Sequence, residues 1–200
     1  NMKRNTIKIN TINHFIGSWF INDSNLEKIV EYFNLSHENQ KPGRVINGSI
    51  DKTKKDCMEL LVKPKEIDEK KLNFFIDYLK ELRICFKDYI EQWGYIENNS
   101  EQIYIGSIKI EKFLMSGHSK EYNCDRNDIN SSHKSLSWIT FLNNVEKGEG
   151  EMNFKNFDYS IQPKKGLTLI WPSDWTHAYN QEVVKTQDKF IISGNIQFTE

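Results

Sequence analysis

The 200-residue sequence predicts an α+β protein whose first half is mostly helical and whose second half is a sandwich or barrel of short strands. Apolar residues recur at helical spacing as far as about residue 93. After Asn98-Asn99-Ser100, short β-branched and aromatic runs alternate with turn residues, which is typical of strands. The chain also carries 12 Phe, 8 Tyr and 5 Trp residues, which are enough for a sizeable core.

The first half contains one strand candidate and two helix candidates. Residues 13–21 are rich in aromatic side chains and predict a strand. Ser24 is expected to open a short helix with Glu27 as its capping-box partner. A longer helix is expected over about residues 66–93, because apolar residues recur there every three or four positions. Residues 41–49 are rich in turn formers and predict a surface loop.

Strand candidates fill the second half of the chain. They are residues 103–114, 136–142, 159–161, 167–171 and 190–198. The sequence shows no internal repeat and no Pro- or Ser-rich linker. We therefore expect a single domain over residues 1–200, in which residues 1–100 are mostly helical support and residues 101–200 form the β core. The sequence does not indicate the oligomeric state.

Composition excludes several classes of partner. Lys and Arg total 27 and Asp and Glu total 28, so the net charge is −1 and nucleic acid is not an expected partner. No apolar run approaches the ~18 residues that a membrane span requires. The polar residues 1–13 lack the apolar core of a signal peptide. The three cysteines form no CxxC pair, and together these features predict a cytoplasmic protein.

Two residues of the second half are candidates for chemistry. His177 directly follows an apolar strand candidate, where a side chain can be aimed into the mouth of a barrel. A histidine is nonetheless more often a surface or satisfied core residue than a ligand. Twelve positions later, Lys189 opens another strand candidate. It either caps that strand at the surface or points inward as a fixed positive charge for a small dicarboxylate.

Several segments occur in an order that resembles a known family. The segment FLNNV at 141–145 resembles a YLNDV strand, and GEGEMNF at 148–154 resembles a GGETEF turn. The segment PKKGLTLIWP at 163–172 resembles a PxxGxLxxFP pattern, and WTH follows at 175–177. This series is similar to the iron- and 2-oxoglutarate-dependent dioxygenases, in particular their prolyl-4-hydroxylase-like branch and its members from marine bacteriophages. Residues 15–20 and 41–43 also look like the phage members, so the resemblance covers nearly the whole chain.

The resemblance implies a fold and an activity. The fold is a double-stranded β-helix (jelly roll, cupin-like) with N-terminal helices packed on one sheet. The activity is hydroxylation of a prolyl residue in a peptide or protein, with conversion of 2-oxoglutarate to succinate and CO2 at Fe(II). Lys189 is expected to neutralise the far carboxylate of 2-oxoglutarate. A requirement for ascorbate is left open, and a phage-encoded member works in the host cytoplasm.

The family holds iron with two histidines and one carboxylate, and the resemblance places Asp125 and His177 among these ligands. The proximal histidine, however, is replaced by Asn123 in the motif Asn-Cys-Asp. An amide oxygen suits Ca²⁺ or Mg²⁺ better than Fe(II), so we expect a weak or water-mediated third ligand and lower affinity for iron. His118 and His133, both in a Ser/Asn-rich stretch, are possible substitutes. Without the resemblance, residues 123–128 are an ordinary solvated turn.

Three further departures leave two functions open. Phe113, Met152 and Asn195 stand where the branch usually has tyrosine, threonine and tryptophan. The first function is an Fe(II)/2-oxoglutarate-dependent dioxygenase of weak activity. The alternative is a catalytically impaired pseudoenzyme, a jelly-roll binding module that keeps the pocket without turnover. A nucleic-acid demethylase is disfavoured by the charge balance and by a lysine where that branch typically has arginines.

Overall fold

The computed structural model describes residues 2–7, 13–94 and 103–198. Strands dominate this part of the chain, and helices lie between residues 26 and 92. The helices are α1 (Leu26–Leu35), α2 (Pro64–Glu69) and α3 (Asn73–Gln92). The strands are β1 (Lys3–Asn5), β2 (Gly17–Phe20), β3 (Lys41–Pro42), β4 (Lys55–Asp56), β5 (Met58–Val62), β6 (Ile103–Phe113), β7 (His118–Asn123), β8 (Lys134–Phe141), β9 (Met152–Phe154), β10 (Ser160–Ile161), β11 (Leu167–Pro172), β12 (Tyr179–Gln181) and β13 (Lys189–Phe198).

The strands form two antiparallel sheets. The larger has the order β1-β2-β11-β8-β13-β6-β5-β3, and the smaller has the order β10-β9-β12-β7-β4. Neighbours in each sheet are mostly distant in sequence, as expected of a jelly roll. The fold predicted from the sequence, a jelly roll with N-terminal helices on one sheet, is confirmed. Strands β1 to β5 come from the first hundred residues and extend both sheets, so that half contributes more than helical support.

The helices cover one face of the larger sheet. Both α1 and α3 bury an apolar stripe with helical spacing, and the phenol of Tyr78 is satisfied by a hydrogen bond of 2.9 Å with Thr140. Each fully buried large side chain stabilises the fold by about 1.5–3 kcal/mol. This cluster includes Leu26, Ile29, Phe33, Phe75, Tyr78, Leu82, Tyr89, Ile108, Ile110, Trp138, Ile170 and Ile192.

The opposite face of the larger sheet turns toward the smaller sheet. Because successive side chains of a strand point to opposite faces, Ile108 and Ile110 of β6 contact the helices while Lys109, Glu111 and Phe113 point between the sheets. The space between the sheets is filled mainly by aromatic and branched side chains. They include Phe113, Ile139, Phe141, Met152, Phe154, Leu169, Trp171 and Ile191.

Local details differ from the sequence prediction. The first helix begins at Leu26 without a side-chain cap, so the capping box of Ser24 and Glu27 was wrong; Glu27 instead pairs with Lys165 at 2.7 Å. The long helix is interrupted between α2 and α3, where Lys71 adopts a left-handed φ of 51°. Such a residue ends the regular helical backbone.

Other predictions concern loops and boundaries. Residues 41–49 do form turns, but they begin with the short strand β3. The predicted boundary at residues 98–100 lies outside the described residues. Among the described residues, no helix is long and apolar enough to cross a membrane.

Candidate active site

Asp125 lies just after β7, at one end of the space between the sheets. Its Oδ2 atom accepts hydrogen bonds from the Ser137 hydroxyl at 2.6 Å and from the Asn195 amide at 2.8 Å. Its Oδ1 atom accepts a longer one, of 3.5 Å, from the Tyr179 hydroxyl. These donors come from β8, β13 and β12. Since both carboxylate oxygens already have donors, Asp125 is held as an internal acceptor.

His177 closes a short 3-10 turn, Trp175–His177, whose N-terminus is capped by Asp174. The ring is 3% exposed and lies against the Phe157 ring, with centroids 5.2 Å apart. Its Nε2 atom lies 2.8 Å from the backbone carbonyl oxygen of His14. A carbonyl only accepts, so Nε2 carries the proton and donates. Burial lowers the pKa of His177 and keeps the ring neutral, with Nδ1 facing the Thr176 hydroxyl at 2.8 Å.

Lys189, the first residue of β13, points inward and is fully buried. Its ammonium group donates to the Gly150 carbonyl at 2.9 Å and lies 4.5 Å from the centre of the Phe113 ring. No carboxylate of the described residues lies within ion-pairing distance of it. Burial therefore lowers the pKa of Lys189 to about 7.

Asn123 ends β7 and faces Tyr179 of β12 in the strand register. Its side chain is half-buried and makes no hydrogen bond within the described part of the chain. Phe154 packs near both Tyr179 and His177, with ring centroids 6.3 and 6.2 Å away. The three residues that the resemblance assigns to iron thus share one end of the fold without converging on a common hydrogen-bond partner.

These residues do not fit Fe(II) as they are arranged. An iron-binding imidazole must offer a lone pair; Nε2 of His177 is protonated and donates to the backbone, and the lone pair of Nδ1 is turned to the Thr176 hydroxyl at 2.8 Å. Oδ2 of Asp125 already accepts two hydrogen bonds, and Oδ1 accepts one of 3.5 Å. Within the described residues, the group of His, Cys, Asp and Glu side chains close enough to share a metal is Cys57, Glu59 and Glu111, and it includes neither residue. The roles of Asn123, Asp125 and His177 as ligands stay predictions.

The possible substitute histidines do not complete a metal site either. His118 lies on β7, not in a loop as expected, and it is 7% exposed beside Asp56 of β4. Four residues of strand separate it from Asn123, so it is displaced from the end where Asp125 lies. His133 and Asp125 both line a polar cavity of about 410 Å³. Neither belongs to a group of described side chains close enough to share a metal.

A partly buried ionic cluster between the sheets was not found by sequence reasoning. Glu111 lies 2.7 Å from the Lys55 ammonium and 3.4 Å from that of Lys109, and Lys55 also pairs with Glu59 at 2.5 Å. The thiol of Cys57 donates to Glu111 at 3.7 Å. Because two ammonium groups occupy these carboxylates, the cluster is an ion-pair network. The alternation of isoleucine with Lys109 and Glu111 along β6 was the available signal.

Two positions that depart from the family pattern, Phe113 and Met152, and two tryptophans also have defined surroundings. Phe113 covers the Lys189 ammonium, and Met152 is fully buried in the small sheet. Trp171 packs between the sheets against Tyr179, with centroids 5.2 Å apart, whereas Trp175 is 74% exposed. Trp171 is therefore part of the wall between the sheets, and Trp175 lies at the surface.

No protein-family model matches this sequence, and no curated protein matches it either. Solved structures do match. A prolyl hydroxylase from Trichoplax adhaerens, solved with a hypoxia inducible factor peptide fragment, matches with a TM-score of 0.69 at 10% identity, over 93% of this chain and 84% of that one. A Pseudomonas putida prolyl-4-hydroxylase matches with a TM-score of 0.65 at 12% identity, over 94% and 95% of the two chains.

A viral collagen prolyl hydroxylase from Paramecium bursaria Chlorella virus-1, solved with 2OG, matches with a TM-score of 0.63 at 12% identity, over 99% of this chain and 96% of that one. The chain therefore has the fold of the 2OG-Fe(II) oxygenases. Within that class, the architecture is that of the prolyl hydroxylases, as the sequence motifs predicted.

Proposed function

We propose that this chain is a binding module on the prolyl hydroxylase fold, which recognises a proline-containing segment of a peptide or protein without hydroxylating it. The observation that carries the proposal is the hydrogen bond from His177 Nε2 to the His14 carbonyl, 2.8 Å long. It occupies Nε2, and the other ring nitrogen, Nδ1, faces the Thr176 hydroxyl at 2.8 Å, so both ring nitrogens already have a hydrogen-bond partner. The replacement of the proximal histidine by Asn123 supports the same conclusion from the sequence.

A groove beside His177 supports a peptide as the ligand. It has a volume of about 460 Å³ and is lined by aromatic rings together with polar residues of 153–160. Asn156 on its rim donates to the Thr176 carbonyl at 2.8 Å, so the groove adjoins the turn that carries exposed Trp175. The surface of the groove is mainly polar, and the rings of Tyr122, Phe157 and Tyr159 supply the aromatic contacts on which proline-rich segments in the polyproline II conformation dock. The aromatic lining residues are Tyr122, Phe154, Phe157 and Tyr159.

The experiment measures binding and turnover separately. Isothermal titration follows Fe(II) and proline-containing peptides, and a product assay follows conversion of 2-oxoglutarate to succinate with and without peptide. We expect peptide binding without metal, weak iron binding and no peptide-dependent succinate. Asn34→His, on the exposed face of α1, is a matched control for Asn123→His, because it adds an imidazole away from the site. Peptide-dependent succinate formation by the native chain would contradict the proposal.

A weakly active prolyl hydroxylase is the second candidate. It is supported by the retention of Asp125 and His177 at one end of the jelly roll and of a buried, inward-pointing Lys189 in its interior. This candidate requires low but measurable native turnover, with succinate formed in the presence of peptide. It also requires a clear gain in iron affinity for Asn123→His and none for Asn34→His. Absence of any native turnover at saturating Fe(II) eliminates it.

The location is also a proposal. We propose that the protein works in a reducing cytoplasm, which its three unpaired cysteines support. Two of them, Cys57 and Cys85, are buried among apolar and ionic side chains, and burial raises the pKa of both thiols, the latter to about 12. Quantifying thiols in protein isolated under alkylating conditions tests this, since all three should be reduced.

A further inference from the structure

The interior between Lys189 and Asp125 is lined by two neighbouring strands, β6 and β13. Their inward side chains form successive rows because every second residue of a strand faces the same side. Lys189 belongs to the innermost row, and Asn195, just past the last row, contacts Asp125 at 2.8 Å. A compound that reached from Lys189 to Asp125 would pass the middle row. The rows are Lys189–Phe113, Ile191–Glu111 and Ser193–Lys109.

Glu111 in the middle row is an ionised carboxylate with its own cations. It is 4% exposed, and its Oε1 atom lies 2.7 Å from the Lys55 ammonium and 3.4 Å from that of Lys109. Burial alone would raise the pKa of Glu111, but the two ammonium groups outweigh burial and hold that pKa far below its usual range. Glu111 is therefore negatively charged at every physiological pH.

Two of the three ammonium groups named here already hold a carboxylate. Lys55 and Lys109 are neutralised by Glu111 and Glu59. Lys189 is covered by the Phe113 ring and donates to a carbonyl. A dicarboxylate entering here would bring its charge next to Glu111 in a space with little water, where like charges repel strongly.

We propose that Glu111 determines the ligand specificity of this interior: its carboxylate takes the place that a dicarboxylate such as 2-oxoglutarate would occupy among the lysines between the sheets, and excludes it. This inference rests on the proposed non-catalytic function, and it adds a second reason why the chain would not turn over 2-oxoglutarate. Exclusion of the dicarboxylate is independent of the missing metal histidine, because Glu111 acts on the cations and not on the metal ligands.

The test is titration of the metal-free chain with 2-oxoglutarate, followed by calorimetry and by chemical shifts. The native chain is expected to show no binding at millimolar ligand. Glu111→Gln keeps the shape of the side chain and removes its charge, and it is expected to bind 2-oxoglutarate at least about ten-fold more tightly than the native chain. Glu121→Gln removes the same charge from an exposed ion pair with Lys54 and should change nothing.

Two further variants keep the test decisive. Adding Lys189→Met to Glu111→Gln should abolish the gained binding, which shows that the ligand uses the buried ammonium group. If Glu111→Gln alone does not fold, Glu111→Gln combined with Lys109→Gln removes opposite charges together and should still bind. Folded Glu111→Gln protein that binds no dicarboxylate overturns the inference and leaves Glu111 as a structural ion pair.

The outcomes also separate this inference from the proposed function. Native protein that binds 2-oxoglutarate without metal, yet forms no succinate, overturns the role of Glu111 and leaves the binding module intact. Native protein that forms succinate overturns both. Failure to bind proline-containing peptides, together with the expected gain for Glu111→Gln, overturns the proposed ligand and supports the role of Glu111.

Discussion

The Nε2 atom of His177 lies 2.8 Å from the carbonyl oxygen of His14, so a ring that the sequence marks as a metal ligand is bonded to the backbone. The segment that supplies this carbonyl is itself anchored. Ile16 is buried between the sheets, and its amide donates to His14 Nδ1 at 3.1 Å. The Tyr89 hydroxyl of α3 donates to the Phe15 carbonyl at 2.9 Å. The N-terminal segment therefore closes over the ring of His177.

This contact predicts a tautomer. Nitrogen-detected NMR of the imidazole rings should show the proton of neutral His177 on Nε2, since the acceptor is a carbonyl. Addition of Fe(II) or Zn²⁺ at equimolar concentration should leave the His177 signals unchanged. The exposed His37 ring is the internal reference for non-specific effects of the metal. A proton on Nδ1, or a metal-dependent shift confined to His177, would show instead that Nε2 is available as a ligand.

Because the Lys189 ammonium group is buried, we expect the free energy of unfolding to depend on pH. The pKa of Lys189 falls from 10.5 to about 7 in the folded chain, chiefly because of burial, so between these values the unfolded state binds more protons. The contribution of Lys189 to the free energy of unfolding therefore rises with pH from about 7 to 10.5 and is lost as pH falls toward 7. Lys189→Met should stabilise the chain at pH 7 by about 1–3 kcal/mol, with a smaller gain at higher pH.

The measurement for Lys189 is urea unfolding of both proteins across this pH range. The comparison with Lys189→Met isolates the lysine from the tyrosines and cysteines that also titrate there. A gain in stability that is the same at every pH would mean that Lys189 keeps its proton throughout. Destabilisation by methionine at pH 7 would mean that the bond to Gly150 outweighs burial of the charge.

We expect the substitution Gly150→Ala to lower the free energy of unfolding. The φ of Gly150 is +62°, and an added Cβ would meet Val184 at 2.8 Å and the Lys189 stem at 3.3 Å. Gly148→Ala is the matched control, because its φ of +84° carries the same backbone strain with nothing within 4 Å. We expect about 1 kcal/mol for Gly148→Ala and about 1–3 kcal/mol more for Gly150→Ala in urea unfolding. Equal losses would show that the turn moves away from Lys189 freely.

We expect Trp175 to contribute to peptide affinity but not to the free energy of unfolding. Its side chain is 74% exposed beside the aromatic groove, so truncation leaves the core intact. Trp175→Ala should weaken binding of a proline-containing peptide by about ten-fold and change the free energy of unfolding by less than about 0.5 kcal/mol. Leu35→Ala, 76% exposed at the end of α1, is the control and should leave affinity unchanged. Unchanged affinity for Trp175→Ala would place the peptide elsewhere.

Local sequence patterns predicted the elements whose burial is periodic. The stripe of Leu26, Ile29 and Phe33 predicted α1, and the apolar runs predicted β8, β11 and β13 close to their observed bounds. The short strands β1, β4, β9 and β12 were missed, because two or three residues carry no measurable period. The longer strands β5 and β7 were also missed, because apolar and polar residues do not alternate along them. The break at Lys71 was missed because no glycine or proline marks it.

The sequence by itself predicted the class of fold and marked Asn123, Asp125, His177 and Lys189 as residues to inspect. Only the tertiary structure decided what those side chains contact. The partners of His177, Asp125 and Lys189 are His14, Asn195 and Gly150, which are 163, 70 and 39 positions away. Hydrogen bonds and ion pairs depend on distances of a few ångströms, and strand register sets those distances across the whole chain.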